Sequence, residues 1–151
     1  TLDGSSAASD VYKRQRGRDC DIFALRLRER PPEPLLEFFD PSPKRPLSHT
    51  TLKVIDVLLT GDLSRIRSET VADSLRISPT TLRRRLSRDS MSYQTILDAV
   101  RRYRCEESLA DDWVPGKCLA WDLGYAEVNS FYRAFRRWTG RNYSDVKLLL
   151  I

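Results

Sequence analysis

Apolar residues in the later half of the chain recur at helical spacing. After Ser48, a residue suited to cap a helix start, Leu52, Ile55, Leu58 and Leu59 fall three or four apart or side by side on one face, and Gly61 follows as a closing residue. From Ser68 to Leu150 helix follows helix with no alternating strand pattern, which predicts an all-α compact region. Upstream the pattern changes: Phe23, Leu25 and Leu27 stand at period two, as in a half-buried strand, before Pro31 to Pro34 stop any regular element. A lone strand is not stable, so this stretch is either the severed end of an upstream domain or unstructured. Leu35 to Phe39 predict one helical turn, and Asp40 to Ser48, with three prolines, read as a linker.

The first nineteen residues are small, polar and basic with no apolar period, which predicts disorder; their Ser9 to Gln15 run, SDVYKRQ, resembles translated adapter or vector sequence, so that residues 1–19 need not be native. The division expected is therefore 1–47 as a disordered or non-native segment with linker and any remnant of an upstream domain, and 48–151 as the folded domain. Nothing before about Ser48 is expected to add to the fold, because its composition cannot bury enough apolar surface to offset chain ordering.

Within the helical region a single unit occurs twice. Val71-Ala72-x-x-Leu75-Arg76-Ile77 leads into Ser78 to Leu86, and Leu119-Ala120-x-x-Leu123-Gly124-Tyr125 leads into Ala126 to Phe135; Ala72 and Ala120 lie 48 positions apart. Each unit has the mechanics of a helix-turn-helix: a short helix whose alanine lets a second helix cross closely, a tight turn, then a longer basic helix. Gly124 suits a left-handed turn position at no cost, whereas Arg76 at the equivalent place adds roughly a kilocalorie of strain if it adopts that conformation. Leu82 and Leu86, and Phe131 and Phe135, sit four apart and supply the buried stripes.

Charge then changes the picture. The 151 residues carry 26 Lys and Arg against 21 Asp and Glu, a net +5, which permits a polyanionic partner. The excess is placed on the faces the stripes leave free: Arg83, Arg84, Arg85 and Arg88 in one unit, Arg133, Arg136, Arg137 and Arg141 in the other. A single arginine run reads equally well as a solvated helix face; two runs at matching places do not. His49 is the only histidine, in a Pro-rich stretch that suits a solvated or capping role, and Cys20, Cys105 and Cys118 are widely spaced with no CxxC. No metal site, triad or disulfide framework is suggested, and with neither GxGxxG nor GxxxxGK[ST] no phosphate cradle for a nucleotide cofactor. No apolar run approaches a membrane span. The chain reads as a cytoplasmic, intracellular protein without cofactor or metal, and not as an enzyme.

Residues Glu69 to Val146 resemble the C-terminal DNA-binding domain of the AraC/XylS family of bacterial transcription regulators. The resemblance rests most on LAWDLGYAEVNSFYRAFRRWTGRNYSDV, with its L-A-x-x-L-G-Y start, the aromatic of the S-x-F step and R-x-F-R-R-W-x-G; VADSLRISPTTLRRRL and the connector SYQTILDAVRRYRCEESLAD match less stringently at the right distance. It implies an all-α fold of two helix-turn-helix subdomains joined by a long connector helix, behind a mostly disordered N-terminal segment. The sequence departs from the family at Arg76, at Pro115-Gly116, where glycine weakens the helix start by up to about 1 kcal/mol and predicts some fraying, and at Asn142-Tyr143.

The function implied is sequence-specific binding of double-stranded operator or promoter DNA for transcription regulation at the bacterial nucleoid. If the connector runs from Tyr93 to Ala110 it spans roughly 27 Å, comparable to the ~34 Å DNA turn, so two recognition helices can enter adjacent major grooves. By the resemblance, Thr80, Arg83, Arg84, Val128, Asn129 and Arg133 face bases, while Ser78, Thr81, Ser130, Arg136 and Arg137 meet phosphate. Arg suits guanine, Asn suits adenine, and Val or a Thr methyl can touch thymine. Cys105, Cys118, Trp121 and Trp138 read as core. RNA polymerase is an expected partner, and a small-molecule effector only through an upstream domain of which this chain holds at most the end. The alternative is a helical protein-interaction module without specific DNA binding. Some DNA-alkylation-repair enzymes fuse such a domain to a cysteine-dependent module, but Cys20 stands alone.

Overall fold

The computed structural model describes residues 31–39 and 43–150, and every regular element among them is an α-helix. In chain order these are α1 (Glu33–Leu36), α2 (His49–Thr60), α3 (Ser68–Ser74), α4 (Pro79–Arg88), α5 (Tyr93–Asp111), α6 (Gly116–Asp122), α7 (Val128–Thr139) and α8 (Tyr143–Leu150). Three of them begin in the same way. Ser48, Ser78 and Ser92 hold extended backbone before α2, α4 and α5, and each hydroxyl accepts the N–H of the threonine three residues on, Thr51, Thr81 and Thr95. Each such cap satisfies an orphan donor and is worth about 1 kcal/mol. Gly61 closes α2 with extended rather than left-handed backbone. Glycine is needed there for space, since a Cβ would stand 2.6 Å from the Val57 carbonyl oxygen.

Two cores share the long connector, α5. The first gathers Val54, Ile55 and Leu58 of α2, Val71 and Ala72 of α3, and Leu82 and Leu86 of α4 around Ile96, Val100 and Tyr103 of α5. The second gathers Leu119 and Ala120 of α6, Leu123 just after it, Phe131 and Phe135 of α7 and Tyr143 of α8 around Cys105, with Leu109 against its edge. The anticipated stripes, Leu82 with Leu86 and Phe131 with Phe135, are buried.

Four expectations need correction or refinement. Leu35 and Phe39 are 0% and 3% exposed within the first core, so the stretch before Ser48 does add to the fold. Pro34 in the first turn is preset for helix, and Leu35 and Phe39, four apart, both turn inward. Trp121 is not core: it is 53% exposed, because α6 buries Leu119, Ala120 and Leu123, and Trp121 points away from Leu119 and Leu123. Trp138 and Cys118 are half-buried against the second core, while Cys105 is fully enclosed. The start of α6 is roofed rather than frayed. The Tyr132 ring lies where a Gly116 side chain would be, so that its Oη would collide with an added Cβ, and the Pro115 carbonyl accepts the N–H groups of Cys118 and Leu119. The strand-like stretch at Phe23, Leu25 and Leu27 and the lone Cys20 lie outside the described residues.

Candidate nucleic-acid interface

The two turns are built by the same hydrogen bonds. After α3 the Arg76 N–H donates to Asp73 O and the Ile77 N–H to Ala72 O; after α6 the Gly124 N–H donates to Trp121 O and the Tyr125 N–H to Ala120 O. Both sets form a Schellman closure, which requires a left-handed residue at the step, and Arg76 (φ 56°) and Gly124 (φ 81°) supply it. Arg76 therefore carries the strain its side chain predicts, on the order of 1 kcal/mol. The repeat seen as a residue pattern is thus a repeat of backbone geometry.

The second turn is one residue longer. Ser78 caps α4 two residues after Arg76, while Glu127 stands before α7 three residues after Gly124. The matching interval between α4 and α7 is accordingly 49 positions: Leu82 corresponds to Phe131 and Leu86 to Phe135. On the outer faces, Thr80 then corresponds to Asn129 and Arg84 to Arg133, all four of them exposed. Thr80 and Arg84, like Asn129 and Arg133, are one helical turn apart and share a face opposite the buried stripe.

Arg83, Arg85 and Arg88 are exposed beside Arg84, and Arg136, Arg137 and Arg141 beside Arg133. Ser78, exposed, and Thr81, half-buried, meet through their hydroxyls at 2.8 Å, and Ser78 caps α4. Ser130, half-buried, accepts from Arg133 Nη2 at 3.4 Å. Val128 is half-buried against the second core, so little of it is offered outward. Arg137 Nη2 pairs with Asp98 Oδ1 at 2.5 Å on α5, which leaves its other N–H donors free to meet a second acceptor.

Several residues that hold these faces in place were not singled out by sequence. Asp89, at the end of α4, accepts from the Ser48 N–H at 3.0 Å, the Ser48 hydroxyl at 2.8 Å and the Thr51 hydroxyl at 2.5 Å, joining α4 to the start of α2. Burial opposes its charge, but these donors outweigh it and hold the carboxyl below its usual range. On α5, Arg104 Nη1 donates to the carbonyls of Leu58 and Gly61 at the end of α2, and the Arg102 guanidinium lies 4.2 Å from the centre of the Phe38 ring. Arg101 donates to Leu123 O and Gly124 O and lies over the Tyr125 ring. Burial pushes the Tyr125 phenol up to about 12 against the opposing pull of Arg101, so its ring stays neutral beneath the cation. Arg101 and Arg104 are thus spent on carbonyls and a ring, and Arg102 on the Phe38 ring and on Glu106 one turn along α5, 3.3 Å from its Nε. Among the described residues no group of three or more His, Cys, Asp or Glu side chains could hold a metal ion, and no helix is long and apolar enough to cross a membrane.

A family model described as a helix-turn-helix domain matches residues 71–147. The HTH-type transcriptional regulator VqsM of Pseudomonas aeruginosa is 37% identical over 78 residues, which is 52% of this chain and 24% of that protein. The ornithine utilization regulator of the same organism is 38% identical over 79 residues, 52% of this chain and 23% of that protein. The chain thus spans about a quarter of the length of the curated relatives it matches. The crystal structure of the transcriptional regulator CdpR from P. aeruginosa aligns with a TM-score of 0.60 at 31% identity, over 68% of this chain and 32% of that one. The C-terminal domain of AraT from Geobacillus stearothermophilus shares the fold, with a TM-score of 0.61 at 22% identity over 70% and 88% of the two chains. With half of its length matched by the family model and its two turns built alike, the chain belongs to the AraC-type helix-turn-helix family of DNA-binding transcription regulators.

Proposed function

We propose that the protein is a two-headed, sequence-specific reader of operator DNA in which α4 and α7 enter successive major grooves on one side of the duplex. The observation that carries this reading is the equivalence of Thr80 with Asn129 and of Arg84 with Arg133 on exposed faces of a repeated unit. The connector, 19 residues long, spans roughly 28 Å at 1.5 Å per residue, close to the ~34 Å that separates groove openings on one side of DNA. Thr80, Arg83, Arg84, Asn129 and Arg133 read base edges. Val128 makes a smaller apolar contact from its half-buried position. Ser78, Thr81, Ser130, Arg136 and Arg137 meet phosphate, Arg137 by bridging Asp98 and the DNA backbone. The protein acts by binding rather than by catalysis, in the bacterial cytoplasm at the nucleoid, with RNA polymerase as a partner at the promoter and any effector acting through a separate domain.

Arg133 and Arg137 separate reading from positioning. Arg133→Ala should weaken binding to the preferred duplex by about 1–3 kcal/mol and relax selectivity at one base position. Arg137→Ala should weaken binding to every duplex alike and lower the slope of log K against log salt by about one unit. Titrations on matched and scrambled duplexes at two salt concentrations measure both. Equal, sequence-independent losses for the two variants would contradict base reading by Arg133. No loss from either would favour a protein partner for these helices.

A further inference from the structure

We propose that Asp98 and Arg101, neighbours on one face of the connector, are positioning residues that clamp the second reading unit at a fixed angle and so set the separation between half-sites that the protein accepts. This rests on the reading of α4 and α7 as DNA-reading helices.

The two residues grip the second unit at two places. Asp98 uses both carboxylate oxygens on α7: Oδ1 accepts from Arg137 Nη2 at 2.5 Å, and Oδ2 accepts from Trp138 Nε1 at 3.2 Å. Arg101, three residues on, uses two donors on the turn between α6 and α7: Nε to Leu123 O at 2.7 Å and Nη2 to Gly124 O at 3.1 Å. Its guanidinium lies 4.2 Å from the centre of the Tyr125 ring. A cation at the closing carbonyls of α6 also meets the negative end of that helix. Behind the same turn stands Leu63 of the first core. A Cβ on Gly124 would collide with Leu63 O, so the turn is held between Arg101 on one side and the loop after α2 on the other.

The clamp lies beside the apolar core of the second unit, which Tyr125 and Trp138 flank. That core is made by Leu119, Leu123, Phe131, Phe135 and Tyr143 around Cys105, and neither Asp98 nor Arg101 belongs to it. The Asp98–Arg137 pair is open to solvent, with side chains 38% and 63% exposed, and such pairs add little net stability. What the clamp supplies is direction: an indole has one N–H, and a guanidinium offers its donors in a fixed fork, so the contacts are satisfied at one orientation of α7 to α5. A reading head fixed in angle tolerates one separation of half-sites, since each added base pair moves the second half-site by about 3.4 Å and by a tenth of a turn.

The test uses the full chain and a duplex selected from a random DNA pool. Affinity is measured on that duplex, on a copy with one base pair inserted between the half-sites, and on copies with a mismatch inside each half-site. The wild-type protein should lose about tenfold or more on the inserted copy, comparable to a mismatched base pair. Asp98→Ala, Arg101→Ala and the milder Trp138→Phe, which keeps an aromatic ring and removes the donor, should shrink that spacing penalty to about threefold or less while leaving the mismatch penalties in place. Melting curves establish that each variant is folded, and Trp138→Phe decides the matter should an alanine variant not be. An unchanged spacing penalty would overturn the proposal, as would a uniform loss of affinity at all spacings, which marks a purely structural role. A wild-type protein with no preference among the duplexes would overturn the DNA-reading assignment itself, and the clamp's role with it.

Discussion

Asp89 shows how one side chain ties distant segments of the chain together. It sits at the end of α4, the longer helix of the first unit, and its carboxylate accepts three donors from Ser48 and Thr51 at the opening of α2. The negative charge also lies where the N-terminus of α2 carries a partial positive charge. Asp89→Asn should therefore cost about 1–2 kcal/mol at neutral pH, toward the lower end of the range for hydrogen bonds to a charged group because the site is partly open to solvent. The sign of its pH dependence follows from the lowered carboxyl pKa. A group whose folded pKa is depressed contributes stability above the unfolded value, near 3.9, and loses that contribution as pH falls through the folded value. Urea midpoints of the wild type and of Asp89→Asn measured from pH 7 downward should converge in acid. A constant gap at all pH values would show that charge is not what Asp89 contributes.

At the scale of elements, burial decides which side of α6 and α7 faces out. Phe131 and Phe135 point into the second core, where Tyr143 stacks edge-on against both and donates its hydroxyl proton to Val114 O. Phe135→Ala should cost about 3–5 kcal/mol in chemical denaturation, whereas Trp121→Ser, on the open side of α6, should cost less than about 1 kcal/mol. Comparable losses would mean that α6 is turned the other way. The helices and their buried stripes were legible in the sequence because a 3.6-residue period and an i,i+4 pair are local signals, as was the left-handed step at Gly124, whereas the sequence left open whether Arg76 adopts it too. The core role assigned to Trp121 failed because a large aromatic ring marks burial on average, while the phase of a seven-residue helix is set by its smaller neighbours Leu119, Ala120 and Leu123. The burial of Leu35 and Phe39 and the clamp formed by Asp98, Arg101 and Trp138 were not legible. Those contacts join residues tens of positions apart, and nothing in the spacing of a charged residue tells whether it meets solvent, a carbonyl or a phosphate.

Across the whole molecule, the connector is the element on which the others converge. It contributes Ile96, Val100 and Tyr103 to one core and Cys105 to the other, caps α2 through Arg104, meets Phe38 after α1 through Arg102, and holds the second unit through Asp98 and Arg101. Its arginines Arg101, Arg102 and Arg104 are engaged within the fold, whereas Arg83, Arg84, Arg85 and Arg88 of α4 and Arg133, Arg136 and Arg137 of α7 are exposed. Two such faces on one polypeptide make a definite demand on the DNA: two short sequence elements on the same side of the duplex, their centres about one helical turn, or roughly 10–10.5 base pairs, apart. Selection of bound duplexes from a random pool, read by sequencing after several rounds, tests this directly. The expected result is a bipartite motif with that spacing, one element of which loses definition in Arg84→Ala and the other in Arg133→Ala. Enrichment of no motif, or of a single uninterrupted element unaffected by one of the two substitutions, would contradict a molecule that reads DNA with both of its helix-turn-helix units.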